Sequence, residues 1–411
     1  MPDAAATKRK HGVEFYELGT LFFLQWMASS SWFVTLTLVL KTHGLAQIQP
    51  YAFATTAIAA FVSPLFFGAM ADRHVAPARV LRWLALATAA AMALASTAIQ
   101  CHWNPWLVLA LIQLHALCTA PTTSISTAVV LSTVRDPRHE FGPVRAMGTI
   151  GWMAGCWLVS ALNADASTNA GFIGAATWLG LAAFTLLLPH VEPKAGGEKL
   201  SWHERLGLDA LTLLRKRDHR VVFIATTLLC VPLAAFYPFT PSALRDAGFT
   251  HPSAWMSLGQ TTEIIAMFSL GALLVRWRVK WILALGMFFA VLRFVFCAVN
   301  GKFWLLAGVA VHGANYALVY ATAQIYVNER VDAAWRARAQ ALLSLLNGGV
   351  GNLIGYLGTG WWFAACTTNG VTRWPVFWSV LAATCAAVMV YFLAAYRGKE
   401  TKPGKVVFSS R

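Results

Sequence analysis

Acidic side chains are scarce in this chain. Asp and Glu number 17 among 411 residues, and all charged types together make up only 12%. An ordinary soluble domain carries about 25%. So little charge cannot clothe a water-soluble globule of this length, which excludes most soluble folds. Cysteine is sparse as well. The seven (Cys101, Cys118, Cys156, Cys230, Cys297, Cys366, Cys385) are scattered and odd in number, with no CxxC. They imply neither a disulfide framework nor a zinc site. Catalytic signatures are missing too. His139-Glu140 and His203-Glu204 lack the second histidine of HExxH, and there is no P-loop, GxGxxG or GxSxG. No loop is long enough to hold a nucleotide-binding domain, so any transport is secondary or facilitated. No catalytic residue, metal or cofactor is expected.

What the chain has is apolar length. It is 58% hydrophobic, and runs of 18 or more apolar residues recur from about residue 18 to about residue 396. Twelve spans are predicted, at 15–41, 46–71, 79–100, 104–133, 144–163, 168–190, 219–244, 254–275, 279–299, 303–328, 338–363 and 374–396. The N-terminal MPDAAATKRKHGVEF is too polar for a cleaved signal peptide and reads as a cytoplasmic tail.

The net charge of +15 is explained by where the cations sit. With the N-terminus inside, 27 of the 32 Lys and Arg fall on the inner side and four (Lys41, Arg245, Lys302, Arg373) on the outer, with Arg293 mid-span. This positive-inside bias places both termini in the cytoplasm. The cations anchor topology against anionic lipid heads and are not a nucleic-acid footprint.

The longest polar stretch, about 190–220, divides the spans six and six. A faint echo supports two related halves: Gly68-Ala69 precedes Arg73 by the same spacing as Gly271-Ala272 precedes Arg276. The domains expected are an N-terminal six-helix bundle at 1–190, a cytoplasmic linker at 191–218, a C-terminal six-helix bundle at 219–396 and a cytoplasmic tail at 397–411. Paired six-helix bundles around a central cavity are the architecture of major facilitator transporters, an all-α membrane fold of twelve pseudo-symmetric helices.

Few polar residues inside the spans lack a bland explanation. Glu263 is the one mid-span acid, and a charge there costs about 2.5–3.5 kcal/mol on insertion scales, so it should face protein or water. Gln260 lies one turn earlier on the same face. The pair offers donors and acceptors suited to a hydroxylated or heterocyclic solute, and the carboxylate is able to carry a proton. The competing reading is an interhelical polar clamp.

GPVRAMGTIGW opens the fifth span, where Pro143 suits a first helical turn. Arg145, Thr149 and Trp152 then form one stripe of cation, hydroxyl and aromatic platform. Spacing alone leaves open a second reading, with Arg145 snorkelling and Trp152 anchoring at the interface. Gly148 and Gly151 flank the stripe and admit a close neighbour. In the tenth span His312, Tyr316 and Tyr320 share a face; a histidine there is either a proton relay or a structural hydrogen-bonder. Arg293 is expected to pair inside the bundle, and Gly348, Gly349, Gly351 and Gly355 to serve packing and hinging.

Several segments, in order along nearly the whole chain, resemble the nucleoside:proton symporter family of the major facilitator superfamily. These are FLQWMASSSW, GAMADR, FGPVRAMGTIGW, LGLDA, SLGQTTE, LRF, RARAQ and TNGVTRW. The resemblance implies a multi-pass inner-membrane importer of nucleosides, driven by protons through alternating access and working as a monomer. By position it implies solute contacts at Arg145, Thr149, Trp152, Gln260, Glu263, His312 and Tyr316. Familiar members carry two amides on helix seven, where this chain has Ala234 and Tyr237, and an aspartate on helix ten, where it has Ala317. Tyr237 supplies one replacement hydrogen bond, and proton coupling passes to Glu263 or His312, or the protein is a uniporter. Rival solutes on the same fold are a sugar or an aromatic acid. A polytopic membrane enzyme would need a polar catalytic grouping at a membrane face, and none is formed.

Overall fold

The computed structural model describes residues 4–66, 75–134, 136–188 and 201–398. Gly68, Ala69 and Arg73, with Lys194 and Lys199 of the linker and the tail cations after Arg397, lie outside the described residues. Nine described helices are long and apolar enough to cross a membrane. These are α1 (Glu14–Thr42), α3 (Pro77–Gln100), α4 (Pro105–Thr133), α7 (Arg217–Asp246), α8 (Pro252–Arg276), α9 (Val279–Val299), α10 (Lys302–Arg330), α11 (Ala333–Cys366) and α12 (Trp374–Ala395). Three further described helices are α2 (Gln49–Phe66), α5 (Pro137–Ala161) and α6 (Asn169–Phe184), and a single helical turn at Trp202–Arg205 precedes α7. Strand content among the described residues is one hairpin, β1 (Thr367–Thr368) with β2 (Val371–Thr372), in the turn before α12.

Helix α5 starts earlier than the sequence suggests. Pro137 takes the opening position, where its missing N–H is unneeded, and the Glu140 N–H bonds Asp136 O at 2.9 Å. Pro143 therefore lies inside the helix, not in its first turn. Helix α1 breaks at Val34-Thr35. Hydroxyls of Ser29, Ser31 and Thr35 bond back to carbonyls one turn earlier (2.9, 2.8 and 2.7 Å), a pattern that bends helices.

The chain forms two compact units, Met1–Lys199 with Phe236–Gln260, and Leu200–Ala235 with Thr261–Arg411. In the first, α1 packs on α5 and α6, and α3 packs on α4 and α6. In the second, the Arg217–Leu233 part of α7 packs on α11 and α12, and α9 packs on α10 and α12. The pairing scheme thus repeats with an offset of six helices.

Close backbone approach explains the glycines of the α1–α5 seam. A Cβ on Gly151 would stand 2.1 Å from Phe23 O, and one on Gly148 would stand 2.5 Å from the Trp26 ring. Small residues let membrane helices approach this closely, where dispersion replaces the missing hydrophobic drive. Gly351 and Gly355 do the same for α11 against Cys230 and Ala234 of α7, whereas Gly348 faces open space. Two π-turns interrupt the second unit, at Ala317–Ala321 in α10 and Leu345–Gly351 in α11. Such turns often mark functional stretches of a helix.

The linker is held by short contacts to α11. Ser201 and Glu204 form a capping box: the Ser201 N–H donates to Glu204 Oε2 at 2.8 Å and the Glu204 N–H to Ser201 Oγ at 3.3 Å. Arg338 donates to Glu204 Oε1 at 2.9 Å. The hydrogen bonds from Ser201, aided by Arg338, hold the Glu204 carboxyl below its ordinary pKa. Gly207, at φ +70°, leaves no room for a side chain beneath the Arg338 carbonyl.

Candidate functional site

In the first unit the candidate residues gather around a box of aromatic rings. The Gly148 gap lets Trp26 of α1 lie against α5, where its ring centroid is 5.8 Å from that of Trp152. Trp152 stands 6.2 Å from Phe33 and 5.6 Å from Tyr237, and Phe33 stands 5.1 Å from Tyr237. All three pairs meet edge to face, the arrangement aromatic quadrupoles favour. Arg145 sets its guanidinium carbon 5.4 Å from the Trp26 centroid, a cation–π contact. Thr149 lies one turn along α5, half-buried. Arg145 and Trp152 are therefore linked through Trp26 in one aromatic cluster.

Gln260 joins the box from α8. Its Nε2 stands at the long limit of hydrogen bonding, 3.5 Å from the Tyr237 hydroxyl. Gln260 Oε1 and Trp26 Nε1 are buried with no partner among the described residues. A buried amide oxygen and indole N–H left unsatisfied are costly unless a ligand or water completes them. Trp26, Phe33, Trp152 and Tyr237 are each half-buried, so the cluster keeps part of its aromatic surface accessible, beside a buried acceptor and donor without partners among the described residues.

The second unit holds the remaining candidates. Glu263 is half-buried on α8, and its neighbour Thr262 donates its hydroxyl to Ala310 O, fastening α8 to α10. His312 and Tyr316 stand 6.3 Å apart, and Tyr316 and Tyr320 5.0 Å, so the α10 face predicted from spacing exists. Tyr316 is the accessible member at 43% exposure, while His312 is buried. Arg293 of α9 is fully buried and reaches His312 Nδ1 at 2.6 Å. Its guanidinium carbon also lies 4.3 Å from the Phe294 ring, which stacks on Trp378. Tyr320 meets Cys230 Sγ at 3.1 Å, and Thr226 and Thr227 both donate to Asn347 Oδ1.

The two helix-seven positions have different fates. Ala234 is buried in the seam with Gly355 of α11, whereas Tyr237 projects into the aromatic box. Sequence reasoning missed Trp26 and Phe33. The small-residue run Gly148, Gly151 and Gly155 carried the signal, since it demands a close neighbour on α5. It also left the partner of Arg293 unnamed.

Long apolar helices, a pairing scheme repeated after six and a polar-rimmed aromatic box define a secondary transporter of the major facilitator fold. The chain matches the family described as Nucleoside H+ symporter over residues 14–401 and belongs to it. It is 32% identical over 408 residues to YegT of Escherichia coli (strain K12), whose name marks it as a candidate nucleoside transporter; the match covers 94% of each chain. It is 26% identical over 401 residues to the xanthosine permease of the same organism, covering 92% of this chain and 95% of the relative. Among solved structures it is similar to an Asp→Ala variant of the nucleoside transporter NupG. That likeness has a TM-score of 0.86 at 25% identity and covers 93% of this chain and all of the other.

Proposed function

We propose that this protein imports nucleosides by proton symport, through alternating access in the inner membrane, with both termini cytoplasmic and the monomer as the working unit. The cation asymmetry supports that orientation. The division into bundles at 1–190 and 219–396 goes with it. The observation that carries the solute class is the aromatic box. Trp26, Phe33, Trp152 and Tyr237 offer edges and faces to a nucleobase, while Gln260 and Tyr237 supply hydrogen bonds for its polar edge or the ribose hydroxyls. Stacking on an aromatic side chain is worth about 1–3 kcal/mol per base.

The proposed contacts are Arg145, Thr149, Trp152, Tyr237, Gln260, Glu263, His312 and Tyr316. Proton coupling is assigned to Glu263. A guanidinium only donates, so His312 Nδ1 accepts from Arg293 and the ring is the neutral Nε2–H tautomer. A second proton on Nδ1 requires that bond to break. His312 therefore serves as a hydrogen-bonding group. In the cycle Glu263 takes a proton from the outer side, the solute binds, the protein reopens inward, and both are released.

A thermal-shift panel tests the solute class, because a ligand that binds only the native state raises the melting temperature. Nucleosides are expected to shift the purified protein while disaccharides and aromatic carboxylates do not. A shift with sugars or acids alone contradicts the proposal.

A further inference from the structure

An open groove of about 590 Å³ runs down the second unit where α8 hands over to α9. Its mouth carries Arg276 and Arg278 beside the indoles of Trp277 and Trp281, and its floor is apolar, formed by α9 and α12 residues such as Leu285 and Met389. No lining residue is acidic. The third cation of this turn, Lys280, is already engaged, donating to Leu393 O at 2.9 Å and Tyr396 O at 3.0 Å to close the end of α12. Arg276 and Arg278 are exposed, and their guanidinium groups have no hydrogen-bonding or ion-pair partner among the described residues.

We propose that this groove is a binding site for an anionic phospholipid, a ligand distinct from the transported solute. The charge order matches such a lipid from head to tail. Guanidinium groups bind phosphate through paired, charge-assisted hydrogen bonds. Tryptophan prefers the level of the headgroups, where its ring is half wet. The apolar floor beneath accepts an acyl chain. The volume lies within the roughly 300–1,000 Å³ of small-molecule sites. On the orientation proposed above, this turn faces the cytoplasmic leaflet, where basic clusters between helices meet anionic heads.

Native mass spectrometry of the full-length protein in detergent tests this independently of uptake. Phosphatidylglycerol is expected to bind at least tenfold more tightly than phosphatidylcholine. The double variant Arg276→Gln, Arg278→Gln is expected to lose at least tenfold in that affinity, while the control pair Arg79→Gln, Arg215→Gln keeps it. Both pairs change exposed residues, and matched melting temperatures establish that they fold. Free glycerol phosphate is expected not to compete. Equal binding of the two lipids, full retention in the double variant, or displacement by glycerol phosphate would overturn the proposal. So would a protein contaminant, not lipid, as the species lost from the double variant.

Discussion

A guanidinium nitrogen of Arg293 lies 2.6 Å from Nδ1 of His312, joining two helices through a fully buried cation and a buried imidazole. The bond fixes which ring nitrogen carries the proton. With ¹⁵N-labelled histidine, NMR should show His312 as the Nε2–H tautomer at neutral pH. Arg293→Met should release that preference. An unchanged tautomer in the variant would show that Arg293 does not set it.

Trp152 lies between Trp26, Phe33 and Tyr237, so its removal opens the box from one wall. At about 1–3 kcal/mol per stacked base, Trp152→Ala should weaken nucleoside binding about tenfold or more. Equilibrium binding of labelled nucleoside checks this. Trp152→Phe should recover most of the loss.

Gly151 meets the Phe23 carbonyl where a methyl group has no space. Overpacking typically costs about 1–3 kcal/mol, so Gly151→Ala should lower the unfolding temperature clearly. Gly180, with open space around its Cβ position, is the control, and Gly180→Ala should be nearly silent. Equal effects at both sites would remove the close-approach argument.

Glu204 gives a pH signature. Its folded pKa is depressed, chiefly by hydrogen bonds from Ser201 and further by Arg338. A depressed carboxylate contributes stability above its unfolded pKa, and the contribution is lost as pH falls through the folded value. Wild type should therefore outlast Glu204→Gln on heating at neutral pH, with the gap closing below about pH 4.5. Melting curves across that range decide it.

Much of the fold was legible because membrane helices announce themselves by length and apolarity. Local irregularities were not. Pro143 looked like a helix start, but Pro137 already occupied that position. The break at Val34-Thr35 had a local signal in Ser29, Ser31 and Thr35 that went unread, whereas the π-turns carry none in the sequence. The site was half legible. Arg145, Trp152 and Gln260 stood out by residue type and spacing. Trp26 and Phe33 looked like ordinary apolar members of α1, and only the α1–α5 contact makes them walls. Arg293 and His312 are 19 residues apart on different helices, so spacing offered no clue to their bond.

The central claim is that Glu263 couples protons to solute. It is tested most directly by labelled uridine uptake into proteoliposomes under an imposed pH gradient. Wild type should accumulate uridine above the external concentration, whereas Glu263→Gln should only equilibrate it. Full gradient-driven accumulation by Glu263→Gln would contradict the account.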